Sequence, residues 1–335
     1  MSLVAVLALT SLTVPHAPVA EADRAQLPVP FDRYSTTDEF GRKITWYISR
    51  TTTRGRLPLI VFVQGSGNFS HFTQRGQQIA GGLQMLLLKQ AKDRARILVV
   101  EKPGVKYLEL PSQPGTALDS SAEFRREDTL PRWAAAINAA IRAARSLPGI
   151  DPKRTLVVGH SEGGHVAGRV ALNDHAVSHV ACLSTSGPTQ LFDLMELART
   201  GHLGDTRQSA DERVRVVLES WKQIQADADN PDKFFAGHSY RHWSSYIQNT
   251  LRDDLMGFAG QIYLAQGTRD SAVPVSSFDV LHAELLARGK CVTAERIAGA
   301  DHGYFKPGEE SGPPAGLEKV LGNVVEWFLT PKAMK

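Results

Sequence analysis

The chain has 335 residues, with 38 Lys and Arg against 35 Asp and Glu, a formal net charge of +3, and 42% hydrophobic residues. That balance lets a core form without metal or disulfide, which excludes a largely disordered chain, and the basic residues are scattered rather than gathered into a run, which excludes nucleic acid as an expected partner. The two cysteines, Cys182 and Cys291, stand outside any metal-ligand spacing and read as small buried hydrophobes.

In chain order, residues 3–14 are an apolar stretch of signal-peptide length, followed by Pro15, Pro18 and Ala20-Glu21-Ala22. Residues 1–22 therefore read as an export leader with an A-x-A cleavage site, which places the mature chain in the periplasm or outside the cell. No later segment has the apolar length of a membrane span. Residues 31–50 alternate β-branched and aromatic residues around Asp38-Glu39-Phe40-Gly41-Arg42, the pattern of an antiparallel hairpin. Residues 57–63 are a continuous apolar run, which suits a strand covered on both faces, and stop at Gln64-Gly65-Ser66-Gly67.

Helix and strand then alternate: helix 74–92, strand 97–100, helix 121–146, strand 155–158, helix 163–172 and strand 180–183. After Gly187-Pro188 the alternation stops, and residues 188–259 carry helical patterns rich in charged and aromatic side chains. A structureless loop of that length is foreign to a compact domain, so a helical insertion, a cap, is expected there. Strand 261–265, helix 275–288, strand 292–297 and helix 317–329 complete the chain. The fold class is α/β: a mostly parallel twisted sheet with helices on both faces, built from residues 31–187 and 260–335 and preceded by an antiparallel hairpin.

The strongest local signal is Gly159-His160-Ser161-Glu162-Gly163, a G-x-S-x-G pentapeptide between a strand and a helix. The bare pattern arises by chance in about one chain in eight of this length, so the context carries the weight. A serine on a strained turn is pushed out of the sheet, and the glycines let strand and helix approach. A hydroxyl needs a base, and the base an orienting carboxylate. Asp270, in Gly267-Thr268-Arg269-Asp270, and His302, in Asp301-His302-Gly303, each follow a strand. All three thus reach the crevice outside the strand C-termini, in the order serine, acid, histidine. Asp301 is the rival acid, less able to reach behind the neighbouring imidazole. The N–H of Glu162 is expected to stabilise a developing oxyanion, with a second donor from Gly65 or Ser66.

From about residue 31 to the end, these segments resemble the α/β-hydrolase superfamily. Gly159-His160-Ser161-Glu162-Gly163-Gly164 is similar to the nucleophile segment of its esterase-like and prolyl-oligopeptidase-like members. Gln64-Gly65 stands where many relatives have His-Gly. The resemblance implies a serine hydrolase acting through an acyl-enzyme on a small-molecule acyl substrate, a carboxylic ester first and a peptide or amide second, with neither metal nor organic cofactor. A binding protein that retains the triad is the rival from another class. His160 and His165 read as packing or polar-network residues. His238 and His242 are spaced as on one helix face, but they lack a third ligand nearby in the sequence and read as part of the insertion. Glu101-Lys102-Pro103-Gly104 reads as a turn at the active-site edge.

Overall fold

The computed structural model describes residues 25–308 and 315–330; the expected leader, residues 1–22, lies outside them. Its elements run β1 (Ala25–Gln26), β2 (Phe31–Thr37), β3 (Lys43–Ser49), β4 (Leu57–Val63), β5 (Phe72–Arg75), β6 (Gln78–Gly81), α1 (Leu83–Ala91), β7 (Arg96–Val100), α2 (Ala122–Glu127), α3 (Leu130–Arg145), β8 (Ile150–His160), α4 (Glu162–Asn173) and β9 (His179–Leu183). They continue with α5 (Gln190–Thr200), α6 (Ala210–Ala226), β10 (Phe234–Phe235), β11 (His238–Ser239), α7 (Tyr240–Gln248), α8 (Leu251–Gly257), β12 (Gln261–Gly267), α9 (Val275–Ala287), β13 (Val292–Ile297) and α10 (Ala315–Leu329).

Nine strands form one sheet in the order β1-β2-β3-β7-β4-β8-β9-β12-β13. The first three strands pair antiparallel with one another, and β3 pairs antiparallel with β7; from β7 to β13 every pairing is parallel. The hairpin and the parallel sheet expected from the sequence are both present. Every residue of β4, Leu-Pro-Leu-Ile-Val-Phe-Val, is buried, as an uninterrupted apolar strand between two helical layers requires. One apolar cluster joins this sheet to α3, α4, α8 and α9, and a second joins its other face to α1 and α10.

Strand order reverses at β4: the chain leaves it for β7 on one side and returns to β8 on the other. Helices crossing to opposite sides leave a crevice beyond the C-terminal ends of β4 and β8. Register sharpens this, since Val63 pairs with Gly159 and His160 with Leu183, so the segments after β4, β8 and β9 start level with one another.

Three expectations need correction. Residues 74–82 are not helical: β5 and β6 form a hairpin turning at Gly76, which takes a positive φ of 61°, and the helix starts only at Leu83. The helix expected over 121–146 breaks at Asp128-Thr129, because Pro131 belongs at the start of a helix and not in its interior. Cys291 is exposed; Cys182 is buried as expected. Between β9 and β12, the helices α5, α6 and α7 share a small apolar core of Leu194, Ala198, Val217, Ile224, Trp243 and Ile247. By contrast, α8 sends Leu251 and Leu255 into the core of the sheet.

Candidate active site

Ser161 occupies the N-cap position of α4 with φ 57° and ψ −133°, a conformation that costs a non-glycine residue strain and is held by the surroundings. Its N–H donates to the Leu183 carbonyl at 2.9 Å, which ties the turn to β9. The close approach of β8 and α4 explains the two glycines of the pentapeptide. A β-carbon on Gly159 would lie 1.9 Å from the Gly163 carbonyl oxygen, and one on Gly163 would lie 2.2 Å from the Val63 carbonyl oxygen.

Asp270 follows β12 and His302 follows β13. The His302 Nδ1–H donates to Asp270 Oδ2 at 2.8 Å, and the Asp270 side chain is fully buried. Asp270 also accepts from Gln266 Nε2 at 2.8 Å and from the N–H groups of Ala272 and Val273 at 2.8 and 2.9 Å, so its carboxylate cannot swing away from the histidine. Because Nδ1 carries the proton, the neutral ring presents the lone pair of Nε2 as an acceptor. Asp301 is engaged otherwise: its Oδ1 caps the N–H groups of Gly303 and Phe305, both at 2.9 Å, and shapes the turn that carries His302.

Ser161 and His302 line the same cleft of about 460 Å³, together with Gly65, Ser66 and the apolar side chains of Phe62 and Leu83. Ser161 and Ser66 also border a second cavity of about 190 Å³, walled by Leu194 and Trp243 of the inserted helices and by Asp193. Burial raises the Asp193 carboxyl to about 7, against the pull of the Ser186 and Ser277 hydroxyls. A wider groove of about 850 Å³ lies beyond Asp270, lined by Arg269 and Ser271, but neither Ser161 nor His302 borders it. The six residues expected from the sequence, Gly65, Ser66, Ser161, Glu162, Asp270 and His302, thus gather at one end of the sheet.

His160 takes the polar-network role expected of it, whereas Gln266 and the partners of the Glu162 side chain escaped sequence reasoning. His160 donates from Nε2 to the His302 carbonyl at 2.9 Å and lines the cleft, so it braces the histidine loop; burial, together with the neighbouring His302, lowers it to about 4 and keeps it neutral. Gln266, four residues before Asp270, bridges that carboxylate and the Val273 carbonyl. The Glu162 side chain enters a buried ionic chain. His242 Nε2 lies 3.1 Å from Glu162, His242 Nδ1 lies 2.9 Å from Asp128, and the Lys102 ammonium lies 3.7 Å from Glu162. Burial opposes charge on both partners, yet His242 and Lys102 hold the Glu162 carboxyl well below the usual range, and Glu162 with Asp128 raises His242 to about 9.

Asp128, His238 and His242 offer ligand atoms within 4.8 Å of one another. Both nitrogens of His242 are already engaged, and its ring stacks on that of His238 at 4.3 Å and 19°. Lone pairs in stacked planes run side by side and do not converge on one ion, so the cluster is better explained as the ionic chain.

No protein-family model and no curated protein matches this chain. Solved structures do. Acylaminoacyl peptidase from Pyrococcus horikoshii is similar with a TM-score of 0.59 at 15% identity, over 92% of this chain and 43% of that one. A puromycin-hydrolyzing peptidase from Mycobacterium tuberculosis gives 0.57 at 16%, over 90% and 40%. Est1E from Butyrivibrio proteoclasticus, also known with ferulic acid bound, gives 0.54 at 16%, over 89% of this chain and 97% of that one. The chain therefore spans less than half of the peptidases it resembles. These likenesses establish the fold: an α/β-hydrolase fold.

Proposed function

We propose that this chain, with the fold just established, is a serine hydrolase that transfers an acyl group from a carboxylic ester to water. One observation carries the reading: a serine on a left-handed turn shares a cleft with a histidine whose other nitrogen is pinned to a buried aspartate. In this reaction the Ser161 oxygen attacks the carbonyl carbon while His302 Nε2 takes the hydroxyl proton. Backbone N–H groups beside Ser161 hold the oxyanion of the tetrahedral intermediate. Its collapse expels the alcohol, which receives the proton from His302. Water then attacks the acyl-enzyme and gives its proton to His302; the carboxylic acid leaves and Ser161 regains its hydrogen.

An ester is favoured by the likeness to Est1E across nearly all of that protein, and by a site divided into two chambers of modest volume, one for each half of a small substrate. The likenesses to two peptidases favour amide hydrolysis as the second reading. In both readings α5 to α7 act as a cap that shapes the smaller chamber. A fluorophosphonate probe should label the protein and fail on Ser161→Ala; labelling that survives this substitution removes Ser161 as nucleophile. Turnover of p-nitrophenyl esters of graded chain length against aminoacyl anilides separates the two readings, and faster anilide hydrolysis selects the peptidase.

A further inference from the structure

The residue that follows Glu101 at the end of β7 does more than turn the chain. The Lys102 ammonium donates to the Gly65 carbonyl at 2.7 Å and to the Gly67 carbonyl at 3.0 Å, and its side chain is only 2% exposed. An ammonium has three N–H donors and no acceptor. Two of them grip the loop after β4, and the charge faces Glu162 at the start of α4. One buried cation therefore touches both segments expected to supply oxyanion donors.

Peptide groups here are planar and trans, so fixing a carbonyl fixes the next residue's N–H in the opposite direction. Lys102 is not among the residues that line either cavity, whereas Ser66 and Ser161 line both. The Gly65 carbonyl is drawn toward Lys102, which lines neither cavity, and the trans peptide directs the Ser66 N–H the opposite way, on a residue that lines both. Among the described residues no acceptor takes that N–H. Gly65 itself lies against the nucleophile: a β-carbon there would be 3.1 Å from the Ser161 Cβ and 3.6 Å from its Oγ. The Gln64 carbonyl group packs closely against Gly163 in the first turn of α4, which holds the start of this loop against the helix that carries the nucleophile.

We infer that Lys102 is a positioning residue: its grip on the Gly65 and Gly67 carbonyls presents the Ser66 N–H, beside that of Glu162, to the oxygen of the tetrahedral intermediate. This assigns the second donor to Ser66, which the sequence left open between Gly65 and Ser66, and it rests on the serine-hydrolase reading above.

The test compares wild type with Lys102→Met, which keeps the stem and removes the donors. With p-nitrophenyl acetate, kcat is expected to fall about 10²-fold, the scale of a lost oxyanion donor, while KM changes by less than about 3-fold. The inhibition constant of an alkyl boronic acid, which becomes tetrahedral on the serine, should rise by the same factor as kcat falls. A purely structural lysine lowers the thermal midpoint and leaves kcat and boronate affinity alone, and that result overturns the inference. Ser66→Pro deletes the N–H itself while leaving Lys102 in place, and Ser66 is not among the positive-φ residues that would reject proline. It should lose kcat and boronate affinity together; full kcat in this variant also overturns the assignment. Wild-type protein that neither turns over the ester nor takes a fluorophosphonate label refutes the serine-hydrolase reading itself, whereas an active wild type matched by an equally active Lys102→Met refutes only the role of Lys102.

Discussion

The sheet and the helices α5 to α7 both bury apolar faces, but at different scales. Two clusters sandwich the sheet, and strands such as β4 are buried along their whole length. The inserted helices share six buried side chains, and α6 buries only Val217 and Ile224 along its 17 residues. Ser161, Asp270 and His302, the proposed reacting group, sit on segments leaving the sheet, whereas the inserted helices wall the smaller chamber through Asp193, Leu194 and Trp243. The deeper core lies under the atoms proposed to react, and the part with the thinner core shapes the space around them.

Substitutions can break that division. His302→Ala should lower kcat on the order of 10⁶-fold while the protein stays folded at the assay temperature, because Gln266 and the Ala272 and Val273 N–H groups still hold the buried Asp270 carboxylate. Asp270→Asn keeps the shape but disturbs the tautomer of His302, and kcat should fall about 10⁴-fold. Steady-state kinetics beside a melting curve check both; a loss of activity that tracks unfolding would refute the assignment.

A pair of tryptophans sharpens the contrast. Trp133 is buried between α3 and the sheet, and Trp243 is buried in the insert, where its Nε1–H donates to the Phe235 carbonyl at 2.6 Å. Trp133→Ala should cost about 3–5 kcal/mol of global stability, read by denaturant melting. Trp243→Ala should speed amide hydrogen exchange in α5 to α7, leave β4 and β8 protected, and raise KM more than it lowers kcat. Uniform loss of protection across the sheet would mean that the insert has no separate stability.

The smallest effect is a pH dependence. His242 is raised from 6.5 to about 9, so its protonated form contributes stability fully below about 6.5, and that contribution is lost as pH rises through about 9. Wild-type stability should decline across this window by at most on the order of 3 kcal/mol, and His242→Gln should flatten the profile. A profile with the same slope in both proteins removes His242 as its source.

What the sequence disclosed follows the same division. Period and run length marked the parallel strands because burial on both faces leaves a continuous apolar string, and the pentapeptide was legible because strand, turn and helix all constrain it. The hairpin over 72–81 is not legible because Gln74-Arg75-Gly76-Gln77-Gln78 has too few apolar positions to separate the two periods. Lys102, Asp128 and His242 were not legible as a group. Their partnership depends on tertiary contacts among residues 102, 128, 162 and 242, far apart in the chain, and no local spacing records that. Strand order offers the missing signal: β7 neighbours β4 in the parallel sheet, so a charged residue just past its end faces the loop that follows β4.

The contact of Gly159 with Gly163 restricts how this molecule can change over generations. Alanine is the smallest step away from glycine, and it is shut out on both sides of the turn, so no gradual path of enlarging side chains leads through these positions. This turn is therefore kept whole or lost at one stroke.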